Sequence, residues 1–89
     1  MELSPKDKTA ILNRLKRASG QLRGVTRMID EDEDCAAIVT QLAACTRALD
    51  KAGFAIMSSG MQSCLAGDRP EEERKESLRQ LEKLFLALA

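Results

Sequence analysis

The sequence contains no histidine, tryptophan or tyrosine, and its only aromatic residues are two phenylalanines. Without histidine there is no Ser-His or Cys-His catalytic pair and no mixed Cys/His metal site. No phosphate-binding glycine loop and no nucleophile elbow are present. No apolar run approaches 18 residues and no signal-peptide pattern is visible, so a soluble cytoplasmic protein with no membrane segment is expected. Proline is scarce as well: there are two, and none falls between Cys35 and Leu65. Net charge is zero, which by itself favours neither nucleic acid nor an acidic partner.

What remains is a composition rich in Ala, Leu, Glu, Lys and Arg, the signature of an all-α helical bundle. Eighty-nine residues make one small domain, residues 1–89. The neutral total hides an uneven distribution. Residues 1–29 carry seven basic and two acidic side chains, and residues 30–34 are all Asp or Glu. A basic N-terminal helix is the kind of surface that meets phosphates.

The long proline-free stretch from Cys35 to Leu65 dominates the chain. Ile38, Leu42, Cys45, Leu49, Ala52 and Ile56 recur at three- and four-residue steps, which predicts a long helix with one buried stripe. A cysteine stands near each end. The 29 steps from Cys35 to Cys64 return to within about 20° on the helix surface but advance about 43 Å along its axis. Thiols cooperate only over a few ångströms, so these two cannot meet within one continuous helix. In an antiparallel pair of chains, Cys35 of one lies beside Cys64 of the other. A compact domain of this length would be roughly 30 Å across, shorter than the helix, so a partner chain is expected. Cys45 falls inside the apolar stripe and reads as a packing residue, as do Met57 and Met61. These methionines are also the soft donors available in place of histidine.

The flanking segments carry their own signals. Ser4, Pro5 and Asp7 form a helix-start pattern. Ile11, Leu15, Ala18, Leu22, Val25 and Ile29 then predict an amphipathic helix to about Ile29. Gly20 and Gly24 interrupt its propensity, which predicts close backbone contact there. Arg14, Arg17 and Gln21 flank one edge of the stripe, while Lys16, Arg23 and Arg27 lie on the far side. The acidic run at 30–34 predicts a turn. Gly53 is the possible break in the central helix, and Gly60 a possible loosening of its last turns. Gly67 and Asp68 predict a C-cap and a new N-cap, with Pro70 near the start of a third helix carrying Leu78, Leu81, Leu84, Phe85 and Leu88 on one face.

From Arg14 to Met57 the chain resembles the CsoR/RcnR family of bacterial transcriptional repressors. The resemblance rests on the R-L-x-R-x-x-G-Q-x-x-G run from Arg14 to Gly24, the acidic turn before Cys35, and Thr40-Gln41 through Ala48-Leu49-Asp50. It implies a three-helix protomer, an antiparallel four-helix-bundle homodimer and a dimer-of-dimers homotetramer that binds operator DNA without a helix-turn-helix. It also implies DNA contacts by Arg14 and Lys51, with Arg17, Gln21 and Arg23 close behind, and an inducer site at Cys35. Cys35 and Cys64 match the two cysteines of copper-sensing members, but the histidine between them is Gly60 here, and a frequent tyrosine is Asp34. Two cysteines and no histidine look like the persulfide-sensing branch, the CsoR-like sulfurtransferase repressors. The resemblance therefore implies no metal cofactor. Low-molecular-weight persulfides would join Cys35 and Cys64 of paired chains by a di- to tetrasulfide, releasing DNA at genes for sulfide detoxification. The alternative is a copper(I) repressor using the same two thiolates. More distant are a thiol redox enzyme, for which no base or acid is in sight, and a helical adaptor.

Overall fold

A computed structural model describes residues 2–89, and three helices account for nearly all of them. Helix α1 spans Pro5–Asp30, α2 spans Cys35–Ala66 and α3 spans Glu71–Leu88. No strand occurs among the described residues, and none of these helices is long and apolar enough to cross a membrane.

Each boundary has a local cause. Ser4 caps α1, its Oγ accepting the Asp7 N–H at 3.2 Å, and Pro5 opens the first turn. The α1–α2 turn uses Asp32 at φ 56°, a left-handed conformation that a short polar side chain tolerates. Asp34 then caps α2, its carboxylate accepting the Ala36 N–H at 3.0 Å. Helix α2 runs 32 residues without interruption, so neither Gly53 nor Gly60 breaks it. Gly67 ends α2 in an extended conformation, φ −88° and ψ 152°. The expected N-cap role of Asp68 is not met: Pro70 occupies the cap and makes no side-chain bond. Proline disfavours helical geometry in the residue before it, which pushes the start of α3 past Asp68. Glu71, Glu72 and Glu73 supply the negative charge at that helix start instead.

Helices α1 and α2 form an antiparallel hairpin. Ala18 meets Cys45, and Gly24 approaches Gln41. The seam consists of Ile11, Ala18 and Val25 facing Cys45, Ala52 and Ser59, all buried and repeating every seven residues. Four of these six are small, which lets the helices approach closely. Helix α3 folds back antiparallel on the second half of α2 and does not pack on α1. Phe54 and Phe85 meet edge to face with centroids 5.8 Å apart, and Leu81 is buried.

The apolar stripe expected on each long helix divides in two. Ile11, Ala18 and Val25 are covered, whereas Leu15, Leu22 and Ile29 remain exposed on α1. On α2, Cys45 and Ala52 are covered while Leu42, Leu49 and Ile56 are exposed. The open residues also repeat every seven. The chain is correspondingly long, with a radius of gyration of 17.1 Å and extents of 56 × 25 × 14 Å. A compact domain of this length would have a radius near 12 Å, roughly. Gly24 lies against Gln41 as expected for a close approach, but a Cβ at Gly20 would meet nothing within 4 Å. The expected contact at Gly20 is absent within the chain.

Candidate nucleic-acid cleft and thiol pair

Helical spacing assembles a basic cleft from two elements. On α1, Arg14, Arg17 and Gln21 stand at three- and four-residue steps, and on α2 so do Ala44, Arg47, Ala48 and Lys51. Facing each other across the hairpin, these seven line a cleft of about 230 Å³. The alanines keep its floor open. Four cations converge there and no carboxylate lines it. All four are exposed. The salt bridges among the described residues, Lys75–Glu71 and Arg79–Glu76, both lie on α3. No cation of the cleft is therefore neutralised by an ion pair. The Gln21 Oε1 is enclosed and has no hydrogen-bond partner.

Four of the five residues expected at a DNA surface, Arg14, Arg17, Gln21 and Lys51, are brought together here. Arg23 is not; it is exposed outside the cleft. Arg47 belongs to the cleft and was missed. Its signal was available as an i,i+4 pair with Lys51 on one face of α2. A guanidinium can grip phosphate through two parallel hydrogen bonds, whereas lysine acts as a point charge. Three arginines and one lysine make this cleft suited to phosphate oxygens.

The cysteines occupy three different environments. Cys35 is the first residue of α2 and is exposed. It continues the open stripe, standing seven residues before Leu42. Cys64 is 0% exposed, its Sγ donating to the Arg74 carbonyl at 3.6 Å beneath the start of α3. Because α2 is uninterrupted, the two residues stand about 43 Å apart along the helix axis, and one chain cannot bring their thiols together. Cys45 is buried in the α1–α2 seam, donating to the Ala18 carbonyl at 3.5 Å, a position suited to packing. Met57 and Met61 line an apolar groove of about 430 Å³ with Phe54, Leu78, Leu81 and Phe85, against α3. Among the described residues no group of three or more His, Cys, Asp or Glu could hold a metal ion.

The sequence pattern of metal-sensitive transcriptional repressors matches residues 7–87. Among curated relatives, the copper-sensing transcriptional repressor CsoR of Bacillus subtilis is 29% identical over 82 residues, covering 92% of this chain and 81% of that protein. The copper-sensing transcriptional repressor RicR of Mycobacterium tuberculosis is 38% identical over 52 residues, 58% of this chain. That match takes in about half of RicR, 54% of its length. Among solved structures, a variant of the formaldehyde-responsive regulator FrmR from Salmonella enterica serovar Typhimurium superposes with a TM-score of 0.88 at 28% identity, covering 97% of this chain and 98% of that one. CsoR and RicR are transcriptional repressors. With the family pattern spanning all three helices, this all-helical chain belongs to the metal-sensitive transcriptional repressors of the CsoR type.

Proposed function

We propose that this protein is a transcriptional repressor that grips the phosphates of operator DNA at the cleft between α1 and α2 and releases the DNA when an effector engages Cys35 of one subunit and Cys64 of another. The observation that carries the reading is the convergence of Arg14, Arg17, Arg47 and Lys51 with no opposing carboxylate. Such a surface gains affinity for a duplex by releasing its counterions.

The open stripe supports the assembly that the effector requires. Leu42, Leu49 and Ile56 are evenly spaced about Leu49. A twofold axis through Leu49 is therefore self-complementary, as isologous interfaces must be. In that antiparallel pairing Leu49 meets its own copy, Leu42 meets Ile56, and Cys35 arrives beside positions 63 and 64 of the partner subunit. Leu15, Leu22 and Ile29 of α1 complete a four-helix bundle, and two such dimers form the homotetramer.

Copper(I) is the effector that the relatives favour, since CsoR and RicR are copper-sensing repressors. The donor set fits it: two thiolates are soft ligands that select copper(I), and the chain has no histidine to suit nickel or cobalt. Cys35 and Cys64 of paired chains would hold the ion, which would supply a bond across the interface that biases one packing of the bundle. A second reading has its own observation. Copper-sensing members resemble this chain but place a histidine where Gly60 stands, and Gly60 is buried within α2. Two thiols without that ligand suit a persulfide. One thiolate takes the terminal sulfur of a persulfide and expels a thiolate, and the facing thiolate then displaces hydrosulfide to close an interchain bridge.

One titration separates the readings. Reduced protein bound to operator DNA is treated with copper(I), or with a persulfide donor, and followed by fluorescence anisotropy, native mass spectrometry and non-reducing gels. Copper(I) should bind once per Cys35–Cys64 pair and release the DNA, and Cys35→Ala or Cys64→Ala should each abolish release. Release by persulfide alone, with a reductant-sensitive covalent dimer, assigns the effector to reactive sulfur. Response to neither agent overturns the thiol-gated reading.

A further inference from the structure

Cys64 is fully enclosed in a reduced chain although an effector must reach it. Three bonds made by one residue explain the enclosure. The Arg74 N–H donates to the Pro70 carbonyl at 3.1 Å, which starts α3. The Arg74 carbonyl accepts from the Cys64 Sγ at 3.6 Å. The Arg74 Nη2 donates to the Gly67 carbonyl at 3.3 Å, at the end of α2. One residue thus ties together the end of α2, the connection and the first turn of α3. Pro70 provides no side-chain cap, and the other side-chain tie on that turn, the Lys75–Glu71 ion pair at 3.7 Å, is solvent-exposed and weak. The other half of α3 is anchored separately, by Leu81 and by Phe85 on Phe54.

We propose that Arg74 is a positioning residue for the Cys64 thiol: its guanidinium fastens the first turn of α3 across the end of α2, and an effector reaches Cys64 only when that turn opens. The chemistry makes the coupling two-way. A sulfur that is ligated or sulfur-bonded has no proton to donate, so its bond to the Arg74 carbonyl is lost. Engagement of Cys64 therefore removes one of the three ties and favours the open turn, while Leu81 and Phe85 keep the rest of α3 in place. The Arg74 Nε adds to the poise, because it is enclosed without a partner and regains water when the turn lifts. The inference deepens the effector role proposed for Cys64, but its test uses neither copper nor persulfide.

The experiment is alkylation of the reduced, full-length protein by iodoacetamide, with each cysteine quantified separately by peptide mass spectrometry. Cys45, buried in the α1–α2 seam, reports global opening, and Cys35, exposed in the single chain and set at the proposed subunit interface, reports opening of that interface. In Arg74→Ala the Cys64 rate should rise about tenfold, the factor that loss of one charge-assisted hydrogen bond sets on a local opening equilibrium. The Cys35 and Cys45 rates should not change. Arg74→Lys, which retains a cationic donor, should stay near the parent rate. An unchanged Cys64 rate in Arg74→Ala, or Cys64 and Cys45 accelerated together, overturns the proposal. Should Arg74→Ala not fold, the parent protein in graded low urea decides: Cys64 must become reactive before Cys45, and simultaneous exposure overturns it. If operator release answers to neither effector while these alkylation results hold, the latch stands and the effector reading falls.

Discussion

Removing Arg47 tests the basic cleft at the residue whose role depends on the fold. Each phosphate neutralised by a cation contributes about 0.9 to the slope of log affinity against log salt. Four cations in one cleft therefore carry a slope of about 3.6 when all are engaged. Arg47→Ala should reduce it by about 0.9 for each cleft in contact with the duplex. At 0.1 M salt the lost contact amounts to about eightfold in affinity relative to 1 M, or about 1.2 kcal/mol. Raising salt from 50 to 200 mM should then cost the variant about 3.5-fold less than the parent protein. Arg47 is exposed and makes no ion pair with another described residue, so circular dichroism and the unfolding temperature should not move. Arg23→Ala is the matched control, because it removes the same charge outside the cleft. Fluorescence anisotropy with operator DNA across a salt series reads both. Equal losses in Arg23→Ala and Arg47→Ala would refute the cleft and leave only diffuse charge.

Other expectations follow from particular residues. Leu49→Glu places two carboxylates at the proposed twofold axis and removes half-exposed apolar area, worth about 2–3 kcal/mol per dimer, so sedimentation should show monomers; an unchanged assembly would rule that axis out. Cys45→Ala should cost about 1 kcal/mol of stability by opening a small cavity in the α1–α2 seam, while effector response persists; a variant that binds DNA but no longer responds would place Cys45 in the switch. Gly20→Ala, whose Cβ would meet nothing within 4 Å, should raise stability by about 0.5–1 kcal/mol, or about 4 °C in Tm. A lower Tm there would mean that a second copy packs on Gly20.

Much of the architecture was written locally. Ser4 with Pro5 is a capping pattern that acts through backbone N–H groups a few residues away, and that cap forms; the acidic run read as a turn is one, and the structure adds that its last residue, Asp34, caps α2. The unbroken α2 follows from the absence of proline across its length. Where a boundary had two competing signals the reading failed: Asp68 is a good cap by residue type, but Pro70 two positions later restricts the backbone more strongly.

The sequence alone established which residues share a helical face, because that depends only on 100° of rotation per residue. It placed Arg14, Arg17 and Gln21 together, aligned Cys35 with Cys64, and showed that 29 residues of helix keep those thiols apart in one chain. What covers each face was decided only by the tertiary structure. Leu15 and Ala18 belong to one apolar stripe, yet Ala18 is buried and Leu15 is not, because only the small residue permits α2 to come close. Arg47 joins the cleft only because the antiparallel hairpin sets it opposite α1. Cys64 is enclosed because α3 turns back over it and Arg74 pins that turn, a contact between two helices that no single-helix periodicity encodes.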